Sequence, residues 1–251
     1  MNVFGKRLTG LLALGAFGLA GCSSGGGGSG GSSSHGAVAN VSGKVTQTVS
    51  SSSFFGKAKG FSKGIHAQNV NALAESGCTV EARDITTNAL VATASSDGSG
   101  NYTLTGVTTG VTYKIVATCG SNVYAVVASA VLSDPTTIAE ADRVATDPRT
   151  TVIAAYIVKT VLDSVTEATA SLPAAAQTAV KKAILAALDS VIQTITSTIN
   201  EAIESGSMAE PDIASATAVA TTMKQHPTDT SAIDTSVNTH AAAPVSVTQA
   251  V

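Results

Sequence analysis

Two hydrophobic periods divide this chain. From Val41 to Leu132, short runs rich in Val, Ile, Thr and Tyr are separated by Gly, Ser, Asn and Asp, which is how strands and turns read. The pattern predicts strands over 41–48, 78–85, 89–95, 101–106, 111–119 and 122–131, with an insertion at 50–76 that lacks strand character. From Asp134 the period lengthens to that of a helix. Pro135, Pro148, Pro173 and Pro211 each follow a polar or boundary segment and suit a first helical turn, where the missing N–H is no loss. Four helices are therefore expected over 134–225.

The clearest helix runs from Pro173 to about Glu204, with Val180, Ile184, Leu188, Val191, Ile195 and Ile199 on one stripe and Leu185 and Ile192 beside it. The helix before it carries Ile153, Ile157, Val158, Val161, Leu162 and Val165 on a similar face. An antiparallel hairpin about Leu172-Pro173 would bury both stripes. A coiled-coil oligomer is the competing use, and the short connections favour packing within the chain. After about residue 225 apolar periodicity fades, so 226–251 reads as a mobile tail. Alternation returns at its end, where Val245, Val247 and Val251 could add a strand to the sheet edge of another copy.

The first residues carry an address. Lys6 and Arg7 precede an uncharged apolar run, Leu8 to Ala20, too short for a comfortable span and organised like a secretion signal over 1–21. The run ends Leu19-Ala20-Gly21-Cys22, which resembles a bacterial lipobox. That resemblance implies cleavage before Cys22, acylation of its thiol and amine, and anchoring in a bilayer. By similarity to lipoprotein sorting, Ser23 implies the outer membrane, with the inward or outward orientation left open. Residues 23–36 are Gly or Ser except His35, a coil with an end-to-end distance of roughly 20 Å. Gly25, Gly27 and Gly30 there match G-x-G-x-x-G, but the motif has no mechanical meaning outside a strand–helix junction.

Composition narrows the function classes. Charged residues make up 12%, aromatics 4%, and the formal charge is −3; losing Lys6 and Arg7 with the signal would make it −5. Nothing in this balance would draw the chain to nucleic acid.

Val41-Ser42-Gly43-Lys44-Val45, the turn and strand Ser96-Asp97-Gly98-Ser99-Gly100-Asn101-Tyr102-Thr103-Leu104, and Val111-Thr112-Tyr113-Lys114-Ile115-Val116 resemble the carboxypeptidase regulatory-like domain. This resemblance implies a transthyretin-like β-sandwich over 37–133, with Asp97 to Asn101 turning a hairpin and Tyr102 and Tyr113 filling the core. The fold class expected is thus α+β, a sandwich followed by an α-helical hairpin or small helical bundle. The family's domain is a non-catalytic accessory module, and the insertion at 50–76 departs from its usual short connection.

Setting aside Cys22 leaves Cys78 and Cys119, an even pair for an oxidising compartment. If their strands are antiparallel neighbours, as the family fold implies, a register pairing 78 with 119 also pairs Val80 with Ala117 and Ala82 with Ile115, and a disulfide follows. His35, His66, His226 and His240 form no metal motif, so no cofactor or metal is expected. In the insertion, Phe54, Phe55 and Phe61 alternate with Lys57, Lys59 and Lys63. Apolar anchors beside positive charge could dock on a protein, anionic headgroups or a glycan-phosphate polymer; alternatively the rings cap the sandwich while the lysines stay solvated.

The function expected from these features is a non-catalytic, lipid-anchored cell-envelope protein serving as a structural or binding module. Two alternatives stand beside it: a self-assembling surface subunit using its C-terminal strand, and an envelope hydrolase whose acid and base, for instance His66, Asp84 or Glu81, only folding would assemble.

Overall fold

The computed structural model describes residues 39–47, 73–132 and 143–241. Strands come first: β1 Ala39–Val45, β2 Thr79–Asp84, β3 Leu90–Ser95, β4 Asn101–Val107, β5 Thr112–Cys119, β6 Asn122–Ser129, β7 Val131–Leu132 and β8 Val144–Thr146. Helices follow: α1 Pro148–Thr169, α2 Ala174–Ala186, α3 Leu188–Glu204, α4 Ile213–Gln225 and α5 Thr230–His240. The class is α+β.

One sheet is antiparallel throughout, in the order β3-β2-β5-β6. The other centres on β1, with β4 along one side and β7 and β8 along the other, β8 running parallel to β1. Strand alternation sends Val41 and Val45 of β1, Tyr102 and Leu104 of β4, and Tyr113, Ile115 and Tyr124 of β5 and β6 into one core between the sheets. Tyr102 and Tyr113 fill that core as expected.

β6 explains the third layer. It is buried from Val123 to Ala128, because Tyr124, Val126 and Ala128 face the other sheet while Val123, Ala125 and Val127 join the helical core. A strand covered on both faces reads as a continuous apolar run. β6 is also a sheet edge, and its outward donors are occupied by helix hydroxyls: the Val123 N–H donates to Thr217 Oγ1 at 3.2 Å and the Ala125 N–H to Thr151 Oγ1 at 2.9 Å.

α1 is the axis of the helical layer, packing its buried Ile153, Ile157, Val161 and Val165 in one core with Leu188, Ile192, Ile195 and Ile199 of α3. The two apolar stripes thus meet inside the chain across the Leu172-Pro173 connection. Asp147 starts α1 with a capping box, accepting from the Thr150 N–H at 2.8 Å while Thr150 Oγ1 accepts from the Asp147 N–H, and Pro148 occupies the first turn. Arg149 then ties this end to Glu210 through paired guanidinium bonds.

Two expectations need correction. The helix predicted from Pro173 to Glu204 is broken at Ala187, whose N–H reaches back to Ala183 O at 3.3 Å and Ile184 O at 3.1 Å. Such tightening needs no proline or glycine, and the sequence offers neither. The tail expected from 226 instead contains α5, capped by Asp229, which accepts from the Ala232 N–H at 3.0 Å. Its buried apolar residues Ile233 and Val237 lie one turn apart, too few to register as periodicity. Pro135 lies outside the described residues.

Gly43 marks a close approach within the β1-centred sheet, where it lies opposite Tyr102 of β4 on one side and Val144 of β8 on the other. A Cβ there would meet the Tyr102 ring and hydroxyl and stand 2.6 Å from the Val144 carbonyl. Tyr102 cannot swing away freely, since its hydroxyl bonds Thr146 Oγ1 at 2.8 Å within the core; burial raises its pKa to about 12. Gly43→Ala is therefore expected to cost about 1–3 kcal/mol through overpacking, read as a lower urea midpoint with unchanged m. A shift indistinguishable from zero would show that the β1–β8 pairing yields.

Candidate functional site

The insertion leaves and returns through a built base. Thr46 and Ala74 form an antiparallel bridge. The Gln47 N–H donates to Leu73 O at 2.9 Å and the Glu75 N–H to Val45 O at 3.0 Å. Gly100 presses against this base with φ +78, where a side chain would meet Val45 O at 2.6 Å. Leu73 stands 62% exposed beside it.

Glu75 turns inward from this base. Its carboxylate is buried, and Oε1 accepts both from the Tyr124 hydroxyl at 2.7 Å and from Asn122 Nδ2 at 3.2 Å. Its carbonyl accepts from Ser96 Oγ at 2.8 Å, and that oxygen in turn accepts from the Cys78 N–H at 2.9 Å. Burial raises the Tyr124 pKa above the ordinary phenol value, and the Glu75 bond and charge raise it further. The phenol is therefore a fixed donor.

Cys78 and Cys119 close the corner as a disulfide with a Cα–Cα distance of 4.3 Å. The neighbouring register is Val80↔Ala117 and Ala82↔Ile115, the register expected from sequence. Cys78 is fully buried and Cys119 partly exposed. A Glu75 carboxylate oxygen and the two sulfurs lie within 4.8 Å of one another.

A second polar feature lies under the helices. Lys114 on β5 has no exposed surface, and its Nζ donates to Met223 O at 3.3 Å. That carbonyl belongs to the last turn of α4, where a cation suits both the unpaired acceptors and the helix dipole. Burial, then the charge of Arg83, lowers the Lys114 pKa to about 8. Lys224 of α4 reaches the same strand at Thr118 Oγ1, 3.3 Å away.

The acids considered for hydrolysis have other work. Glu81 pairs with Arg83 at 3.1 Å. Asp84 is partly buried, which pushes its pKa up, but bonds from Thr87 and Thr86 outweigh this and hold it below the ordinary carboxylate value; it caps the β2–β3 hairpin. His226, Asp229, Ser236 and His240 line an open groove between α4 and α5.

Of the sequence-derived site residues, the structure brings together Cys78 and Cys119. Cys22, the insertion residues Phe54, Phe55, Lys57, Lys59, Phe61 and Lys63, His66, and Val245, Val247 and Val251 lie outside the described residues. At the level of sequence, Glu75, Asn122, Tyr124 and Lys114 had no part in these buried polar clusters, although Lys114 lies within a segment that carries the family resemblance. For Glu75 the available signal was its spacing, three residues before Cys78; Lys114 offered none, since an alternating strand normally turns its lysine to water.

Comparison with protein-family models, with curated proteins and with solved structures gave no match. Among the described residues no helix is long and apolar enough to cross a membrane.

Proposed function

We propose that this chain is a non-catalytic, lipid-anchored cell-envelope protein that acts as a structural or binding module. The observation that carries the reading is the Cys78–Cys119 disulfide, which suits an oxidising compartment and agrees with the signal-like start and lipobox at Leu19–Cys22. The two-sheet body supports the carboxypeptidase regulatory-like, transthyretin-like assignment in particular ways. Asp97 Oδ1 accepts from the Ser99 and Asn101 N–H groups at 2.8 Å each, making the expected turn, and Tyr102 and Tyr113 occupy the core.

The binding element in this reading is the insertion. Its Phe54, Phe55 and Phe61 supply apolar anchors, its Lys57, Lys59 and Lys63 positive charge, and its two ends are clamped together at Gln47 and Leu73. A partner protein or an anionic envelope polymer fits that chemistry. The membrane is reached through the lipid, and outer-membrane placement follows from Ser23.

Metabolic labelling with an alkyne fatty acid tests the anchor. The full chain is expected to take up label and sediment with membranes, whereas Cys22→Ala is expected to lose the label and accumulate as uncleaved precursor. Equal labelling of the two chains would overturn the reading.

A further inference from the structure

Glu75, Cys78 and Cys119 invite a question that the disulfide alone does not answer: why a buried carboxylate sits against the sulfur pair. Burying a carboxylate costs free energy unless hydrogen bonds or a cation offset it. Here both side-chain donors, the Tyr124 hydroxyl and the Asn122 amide, converge on the same oxygen, Oε1. That is how outer groups orient a ligating carboxylate.

We propose that, when the disulfide is reduced, this corner binds a divalent transition-metal ion of the zinc type through the Cys78 and Cys119 thiolates and the Glu75 carboxylate. The donor set of two soft sulfurs and one oxygen is one that zinc accepts. Zinc–sulfur bonds of about 2.3 Å in a tetrahedral site place sulfurs roughly 3.8 Å apart, and the three donor atoms already lie within 4.8 Å of one another. Once their bond is broken, the two sulfurs must move apart to that spacing by side-chain rotation. Each ligand is also held by a separate element: Glu75 by the base of the insertion, Cys78 by Ser96, and Cys119 by the end of β5. The partly exposed Cys119 gives solvent access, so water completes the fourth position.

The exchange balances through a dithiol reductant of the thiol–disulfide oxidoreductase class. Its thiolate attacks one sulfur, the Cys78–Cys119 bond breaks, the reductant leaves as its own disulfide, and two thiols remain. Metal binding then displaces two protons. Bonded sulfurs carry no thiolate charge, so disulfide and metal exclude each other, and the corner keeps a cross-link in both redox states.

Cobalt(II) added anaerobically to the full chain, oxidised or reduced by a phosphine, provides the test. The reduced chain is expected to show thiolate-to-cobalt charge-transfer absorbance saturating at one equivalent and displaced by zinc, while the oxidised chain shows none. Glu75→Gln should weaken binding at least tenfold. Tyr124→Phe, which leaves every ligand in place, should weaken it about tenfold. A reduced chain that keeps its far-ultraviolet circular dichroism yet gives no charge-transfer band overturns the proposal, as does Glu75→Gln binding equally well. If reduction unfolds the chain, zinc must restore the native spectrum; failure to do so overturns it equally.

Discussion

Replacing Cys78 and Cys119 together with alanine is expected to lower the free energy of unfolding by about 4 kcal/mol, from the entropy of closing a loop of this size in the unfolded chain. The residues are 41 apart in sequence, and the loop contains β2, β3, β4 and β5. Few single features could remove so much from a domain whose total stability is typically 5–15 kcal/mol. The native state also loses a local clamp. The backbone N–H of residue 78 still donates to Ser96, and Ser96 still holds the Glu75 carbonyl, but this corner is no longer tied to the end of β5, so amides at Gln47 and Glu75 should exchange faster than those of β6. Equilibrium urea unfolding of the native and double-alanine chains measures the first effect, and hydrogen exchange the second. A loss below about 1 kcal/mol would mean that the unfolded chain already holds these strands together.

Lys114 gives the second large effect, and its sign is unusual for a basic group. Its folded pKa of about 8 lies below the ordinary 10.5. Between these values the unfolded chain keeps a proton that the folded chain has released, so stability rises with pH through this window. Below pH 8 both states are protonated and the folded state carries the full cost of burying the ammonium. The complete window is worth about 3 kcal/mol, and about 2 kcal/mol should appear by roughly pH 9.5. Measurement should stop there, because Tyr102 and Tyr124 titrate above the ordinary phenol value when folded and act in the opposite direction at higher pH. Lys114→Met removes the titration while keeping the stem's volume. Native stability is expected to climb relative to this variant between about pH 7 and 9.5, and parallel profiles would show that water reaches the amine. Burial sets the window first and the charge of Arg83 on β2 second.

What could be read in the sequence follows from what each residue type must do. Val123 to Ala128 is apolar without alternation, which was legible as a strand over 122–131, and its burial on both faces gives the physical reason for the unbroken run. The Cys78–Cys119 pairing was legible once the family resemblance made their strands antiparallel neighbours, because that register keeps Val80 and Ala82 on one apolar face and a one-residue slip would turn them away. Polar residues with buried roles were invisible. Glu75, Lys114 and Thr151 take their parts from distant segments: Tyr124, Met223 and Ala125. No local pattern encodes such a partner. The break at Ala187 escaped notice for a different reason, since alanine favours the unbroken helix that the stripe suggested. α5 escaped because a pair of buried valine- and isoleucine-sized contacts can hold a capped helix against α1 and α4 without making it look amphipathic.

The two-sided burial of β6 also sets an order of events during synthesis. Translation completes the β3-β2-β5-β6 sheet at Ser129, but Thr151 is still to come and Thr217 lies far behind it. Until the helices emerge, the nascent chain presents Val116 of β5 and Val123, Ala125 and Val127 of β6 to water, and the Val123 and Ala125 N–H groups have only water to bind. This is the kind of half-finished edge on which chains recruit one another. The helices thus serve as a late-arriving cover, and a fragment ending near residue 132 would remain permanently in that vulnerable interval.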